Sequence, residues 1–577
     1  MTQLALPAQR GWSVAVFQGP VRWWYAWLLT GVLAALVVYP LVTLFLASFR
    51  SGEEGAAASL TLASYQRVFS SPPTYELIWT TIWLAAARVA LAGLVGVFLA
   101  WLVARTDMPW RQGIEVLVWI KFFSPPLPMV VAWVLLAGKT GVLNSVLANL
   151  PFVQGPVFDV YSYWGIVFVS TLQLAAFMFL LTAPAFRSMD ASLEEAGKVA
   201  GAGSLSVLRH ITAPLVLPAI LGAALYAFIF ALESFETEVM LGTPARIYVL
   251  STQIYLLAEQ YPNDLPGATA LSAFFLVAVA GVIALQMRLL GGRSFTTVSG
   301  HGFAVRPVAL GKWRWAACAV CLLYFAISTL LPLAMLILGT FMRSWGTWSD
   351  SSFTLIHWQV SLRDPRLTAA VTNTVLLGGL VGLGGTVVCA GAAYVWIRTR
   401  FAGRGLLEFI TWAPRVAPGP VLAIAFAWAY IGGLPIFRPI LGTLLMLAVV
   451  LVVNSLPLGS RILAGGMHQV AYELEEAARM SGSPWLTTFR RVLLPLLAPV
   501  LMTSFVLLFL VAIRNLVLII FFYKPESRVL SAILWEGWRG GNPERALVAG
   551  LMMMAISLFA LGLALLVRRR AGIAGIY

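Results

Sequence analysis

Twelve runs of about twenty or more mostly apolar residues dominate the chain. They fall near 22–48, 76–104, 114–137, 161–184, 212–236, 268–290, 314–342, 368–396, 406–432, 439–460, 493–522 and 546–567. A coiled run of that length matches the hydrocarbon thickness of a bilayer. A helix is the form in which each such segment satisfies its own backbone in lipid. Of 577 residues, 60% are hydrophobic and 11% charged, against about 25% charged in a soluble domain. No soluble core absorbs that much apolar surface, so a water-soluble enzyme, a disordered chain and a fibre are all excluded.

The net charge of +15 could suggest nucleic acid, but topology explains it. With the N-terminus in the cytoplasm, Lys and Arg concentrate in the cytoplasmic loops and Asp and Glu in the outer ones, the positive-inside pattern. Both termini are then cytoplasmic, and Arg568-Arg569-Arg570 is a stop-transfer anchor. The N-terminal run from Val21 to Phe49 is too long for a cleaved signal and reads as a first span. Cys318, Cys321 and Cys389 lie in apolar runs, which argues against a disulfide framework.

The chain repeats itself. Leu193-Glu194-Glu195-Ala196-Gly197 recurs as Leu474-Glu475-Glu476-Ala477-Ala478; Gly201, Arg209 and Pro214 recur as Gly482, Arg490 and Pro495. Each pair is 281 residues apart. Upstream, Arg105-Thr106 matches Arg398-Thr399 at a step of 293, which places an insertion near 138–160. The predicted architecture is all-α and polytopic: two parallel halves of six spans, 1–290 and 314–577, joined by a cytoplasmic linker at 291–313 and related by a pseudo-two-fold along the membrane normal.

The repeated loops lie between the fourth and fifth spans. In the first, Ser192 and Glu195 have capping-box spacing, which predicts a short helix. Gly201 and Gly203 turn the chain, Ser204 caps a second short helix, and Pro214 enters the next span. In the second, Ser483-Pro484 reads as an N-cap followed by an N1 proline.

Glu-Ala-Ala, three residues, Gly, nine residues and Ile-x-Leu-Pro is the signature of permease subunits of bacterial ATP-binding-cassette importers. The second loop fits closely, with Glu476-Ala477-Ala478, Gly482 and Val492-Leu493-Leu494-Pro495; the first departs at Gly197 and Ala213. The resemblance covers essentially the whole chain as a fused double permease, with the type I importer fold. It implies that the loops bearing Glu194, Glu195, Ala196, Gly201 and Pro214, and Glu475, Glu476, Ala477, Ala478, Gly482 and Pro495, couple to two ATPase subunits, read as a homodimer. It also implies a periplasmic binding protein as a partner, a bacterial inner-membrane location, and ATP and Mg on the ATPase subunits with no cofactor in this chain. The stretch Glu233-Ser234-Phe235-Glu236, Gly242 to Tyr248 and Thr252 to Tyr255 resembles the ferric-iron type of permease. Relatives for thiamine, 2-aminoethylphosphonate and polyamines share much of it.

No phosphate-binding loop is present: Gly138-Lys139-Thr140 has the tail of one, but Trp133 stands where the first glycine belongs. His210, His301, His357 and His468 are scattered, and no metal-ligand spacing or catalytic set emerges. An ion-driven transporter, the rival reading, predicts acidic residues deep in several spans, where this chain has essentially Glu233 alone.

Intramembrane charges default to functional hypotheses. Glu233 in span five and Arg514 in span eleven occupy equivalent places, 281 apart. Either they face each other as an ion pair or gate lining the pathway, or each faces the headgroups or pairs locally, with Glu236 and Glu238 following closely. Arg88 lines the path or snorkels. Lys121, Glu115, Glu408 and Arg415, near span ends, read as snorkelling residues. Asn373 and Asn454 read as helix bridges, the glycines from Gly378 to Gly385 as close-packing sites, and Met552-Met553-Met554 as lipid-facing or packed apolar surface.

Overall fold

A computed structural model describes the chain except for residues 1–22, 51–59, 151–154, 291–306, 345–352, 432–434 and 571–577. Most of the predicted linker, and His301, lie outside the described residues. In the first half the principal helices are α1 (Trp24–Ala47), α2 (Pro72–Arg105), α3 (Arg111–Phe123), α4 (Pro126–Ala137), α5 (Tyr163–Arg187), α6 (Ala191–Val199), α7 (Ala213–Leu232), α8 (Leu250–Glu259) and α9 (Leu265–Leu290). The second half repeats the order as α10 (Gly311–Phe341), α11 (Pro365–Arg398), α12 (Arg404–Trp412), α13 (Gly419–Phe426), α14 (Leu444–Gln469), α15 (Glu473–Met480), α16 (Leu494–Arg514), α17 (Leu530–Arg539) and α18 (Pro543–Arg570). Among the described residues eleven helices are long and apolar enough to cross a membrane, or twelve with the bent pair that includes α12 and α13. The all-α polytopic expectation holds.

Helix starts follow local chemistry. Prolines occupy the first turn of α2, α4 and α11, where a missing N–H costs nothing. Ser162 caps α5 by accepting from Gly165 N at 3.0 Å, and Thr443, 281 residues on, caps α14 by accepting from Met446 N.

Two expectations need correcting. The third span of each half is broken: α3 ends at Phe123 before Ser124-Pro125, and the second-half counterpart bends by 112° across a stretch bearing Pro414, Pro418 and Pro420. A proline ring clashes with the preceding turn and removes a donor, so an apolar run alone does not make one straight helix. The fifth spans also end early, at Leu232 and Arg514. After Arg514 the backbone of Asn515 is extended, and its side chain accepts from Leu518 N at 3.0 Å, which starts a new helix, Val517–Phe522.

Packing is equivalent in the two halves: α2 lies on α5 and α7, and α11 on α14 and α16. The halves also interlock. α1 packs against α13 of the second half, and α10 against α4 of the first. Three of the five glycines between Gly378 and Gly385 serve as close-packing sites, whereas a Cβ at Gly379 or Gly384 would meet nothing within 4 Å. A Cβ at Gly378, Gly382 or Gly385 would meet Phe509, Phe505 or Leu508 of α16 within 3.0 Å. At Gly96 it would meet the Ala175 carbonyl oxygen, a backbone atom of α5 that has no rotamer to escape into. Gly96→Val should therefore cost at least 1–3 kcal/mol, the usual range for overpacking, read as a lower denaturation midpoint in detergent. Met553 and Met554 are buried in the core, the packed alternative for that run.

Candidate coupling loops and intramembrane charge pairs

Each repeated loop is a helix, a glycine turn and a second short helix. The turn residues have positive φ, +86° at Gly201 and +77° at Gly482, a conformation that glycine adopts without a Cβ clash. Pro214 and Pro495 sit in the first turns of α7 and α16, and both are exposed. The caps differ from the expected ones. Asp190, not Ser192, holds the start of α6 by accepting from Ser192 N at 2.8 Å. In the second loop Pro484 is itself the residue preceding the Trp485–Thr488 helix. The bond from Ser192 N holds the Asp190 carboxyl below its ordinary range. A carboxylate with a depressed folded pKa supports the fold above its unfolded pKa, and that support is lost as pH falls through the lowered value. Asp190→Ala should speed amide exchange at Ser192 at neutral pH, and wild type should approach the variant on acidification.

The two adjacent glutamates of each loop have different surroundings. Glu194 and Glu475 are buried, whereas Glu195 is exposed and Glu476 half-buried. Glu194 forms an ion pair with Arg105 of α2, which is fully buried, and accepts from Thr212 Oγ1 at 2.7 Å. Glu475 meets Arg398 of α11 at 3.5 Å. Arg105 also donates to the Met189 carbonyl, and Arg398 to the carbonyls of Met467 and Val470. Met189 and Val470 are again 281 apart. One arginine at the end of each second span thus pins both the entry to the first helix of the repeated loop and its buried glutamate. Sequence reasoning used these arginines only to align the halves; their recurrence at a step of 293 was the available signal.

The outward face of each loop is apolar in the same pattern. Leu193 and Leu474 are 46% and 45% exposed, and Val199 and Met480 are both 89% exposed. Ala196 and Ala477 are exposed beside them and Ala478 is half-buried.

Inside the helix bundle the predicted partners separate. Glu233 does not pair with Arg514. Its carboxylate accepts from Arg415 Nη1 at 2.9 and 3.1 Å, and the Arg415 guanidinium lies 5.0 Å from the Tyr226 ring centroid. Arg514 donates to the Phe122 carbonyl at 3.1 Å and lies over the Phe122 ring. Phe122 and Arg415 are 293 apart, the step of the upstream repeat, and Glu233 and Arg514 are 281 apart. The two contacts are therefore one contact made twice: the end of each fifth span meets the break in the other half's third span. Sequence placed Glu233 and Arg514 at equivalent positions correctly. It missed the partners because the third spans read as straight, and the proline breaks that present Arg415 and the Phe122 carbonyl lie inside continuous apolar runs.

Of the residues expected to snorkel, Lys121, Glu115 and Arg415 are held internally and Glu408 is not. Lys121 donates to the Ser328 carbonyl of α10 at 2.9 Å, and Glu115 pairs with Arg187 at 2.7 Å. Glu408 pairs with Arg461 at 3.2 Å, both side chains about half exposed. Arg88 pairs with Glu238 at 2.5 Å, both nearly inaccessible, and Ser234 Oγ donates to the same carboxylate at 2.6 Å. Asn373 bridges elements as predicted, donating to the carbonyls of Glu526 and Arg528. Cys318, Cys321 and Cys389 are free and buried.

A duplicated bundle of membrane-length helices with two matched loops and a cross-braced centre is the architecture of a polytopic membrane protein built from two like units. The chain belongs to the family of binding-protein-dependent transport system inner membrane components, whose model matches residues 92–294 and again 382–573. It is thus a multi-pass inner-membrane permease of the ATP-binding-cassette importer class, with both permease units in one chain. It is 25% identical over 537 residues to the ferric transport system permease protein FbpB of Actinobacillus pleuropneumoniae, covering 91% of this chain and 75% of that one. It is 26% identical over 553 residues to a probable ABC transporter permease protein, y4fN, of Sinorhizobium fredii, covering 93% and 94%. The sulfate transport system permease protein CysW of Escherichia coli matches 44% of this chain with 85% of its own length, at 26% identity.

Proposed function

We propose that this chain forms the complete translocation pathway of an importer, that two ATPase subunits dock on α6 and α15, one on each, and that the cargo is ferric iron delivered by a periplasmic binding protein. The observation that carries the coupling reading is the paired construction of the loops. The same buried glutamate–arginine anchor, Glu194–Arg105 and Glu475–Arg398, fixes the same exposed apolar face, Leu193 with Val199 and Leu474 with Met480. Exposed apolar residues backed by a rigid anchor fit a partner that must transmit force rather than merely touch. Two identical faces fit two copies of one partner, with ATP and Mg bound on those copies.

ATP-driven approach of the docked subunits moves α6 and α15. Arg105 and Arg398 carry that motion into α2 and α11, and the crossed contacts at Glu233–Arg415 and Arg514–Phe122 pass it between halves. The ferric assignment rests on relatives that bear the ferric name over most of this chain. Hydrolysis by the co-expressed ATPase in nanodiscs should rise when the neighbouring binding protein is loaded with Fe³⁺, and the rise should vanish in Glu195→Ala/Glu476→Ala. Stimulation only by thiamine, 2-aminoethylphosphonate or a polyamine would replace the cargo and leave the coupling intact.

A further inference from the structure

α8 and α17 lie between the fifth and sixth spans of their halves, at the end of the bundle opposite the coupling loops. Leu250 and Leu530, Tyr255 and Trp535, and Glu259 and Arg539 are each 280 apart, so these helices are repeats of one another. Each hangs from its second span in the same way: Leu250 N donates to Thr81 Oγ1, and Leu530 N to Thr374 Oγ1, both at 2.9 Å. The contacts between the two helices join equivalent positions. The rings of Tyr255 and Trp535 are 6.3 Å apart at 71°, and both side chains are buried. Arg539 Nη1 donates to Glu259 Oε1 at 2.6 Å and to Tyr255 Oη at 3.1 Å. Equivalent residues that touch must straddle the pseudo-two-fold axis, where a pathway shared by two parallel halves runs. Beside the rings is a cavity of about 370 Å³ whose lining includes Tyr523 and Glu536, space into which a ring can turn.

We propose that Tyr255 and Trp535 are the outer gate of the pathway and that Glu259–Arg539 is its latch, an assignment that rests on the importer reading above. In an assembly of two identical halves this position would set Glu against Glu or Arg against Arg; the duplicated chain carries one of each. The latch is about half exposed, and pairs of that kind shift an equilibrium by only a few-fold. It therefore biases the gate closed while leaving it within reach of a docking binding protein. The rings, desolvated and edge-to-face, supply the seal.

Glu259→Arg and Arg539→Glu, assembled with the ATPase in nanodiscs, should each raise hydrolysis in the absence of binding protein by roughly two- to fivefold. The charge-swapped double variant should return to the wild-type rate. Single variants at the wild-type rate whose labelling (below) is also unchanged, or a swap no better than the singles, would overturn the latch. A second readout needs no ATPase. A cysteine replacing Ser234, next to Phe235 whose ring packs edge-on to Tyr255, should react faster with a membrane-impermeant maleimide in either single variant than in the latched chain. It should return to the slow rate in the swap. Unchanged labelling rules out the gate even where ATP-dependent uptake stands. Faster labelling without any ATPase response keeps the gate and removes the importer reading.

Discussion

Arg105→Leu should detach the first coupling helix from the bundle and cost about 3–5 kcal/mol, the range for removing one partner of a buried ion pair. Leucine covers the apolar stem but leaves the Glu194 carboxylate buried with Thr212 Oγ1 as its remaining side-chain donor among the described residues, and desolvated charge is what makes such deletions expensive. The Met189 carbonyl loses its arginine donor as well. Uptake should fall with stability, and hydrolysis should lose its response to the binding protein. Arg398→Leu should act in the same direction and less strongly: the Arg398–Glu475 contact is longer, at 3.5 Å, although the arginine also holds two carbonyls. A denaturation midpoint and the stimulated ATPase rate, measured on both variants, check the order.

Arg88→Leu should be comparably destabilising, again about 3–5 kcal/mol, because Glu238 is then a carboxylate at 1% exposure whose remaining side-chain donor among the described residues is Ser234 Oγ. The double replacement Arg88→Leu/Glu238→Leu should recover most of that loss, since well-packed apolar residues of similar size replace a buried pair at little net cost. Midpoints for the wild type, both singles and the double form a cycle that isolates the pair. A double variant as unstable as Arg88→Leu would mean that the arginine acts through packing rather than through Glu238.

Spans, repeat and loops were legible in the sequence because each depends on local pattern. The span count follows from apolar runs, the halves from constant steps of 281 and 293, and the loop turns from Gly201 and Gly482, where positive φ demands glycine. The residues of the repeated loops were legible as a cluster but not as individuals. Nothing in Glu194-Glu195 announces that the first turns inward and the second outward; the position of Arg105 decides that, across 89 residues of sequence. The breaks in the third spans were hidden because Pro125 and Pro414 sit within otherwise continuous apolar runs, and apolarity outweighed the prolines. A straight third span places Arg415 near a span end, where it snorkels, and leaves Glu233 either facing Arg514 or pairing locally. The repeat held the correction: Arg415 is the counterpart of Phe122 as Arg514 is of Glu233, so a contact of one pair implies a contact of the other.

If each repeated loop takes one ATPase subunit, the mass of the assembled complex records both. Native mass spectrometry of the chain co-expressed with its ATPase should give one chain with two ATPase subunits. Met480→Asp, which places a charge on the exposed apolar face of α15 alone, should shift the population to one chain with one subunit, and Val199→Asp/Met480→Asp to the bare chain. A wild-type complex carrying no ATPase, or a full complement retained by the double variant, would contradict the account.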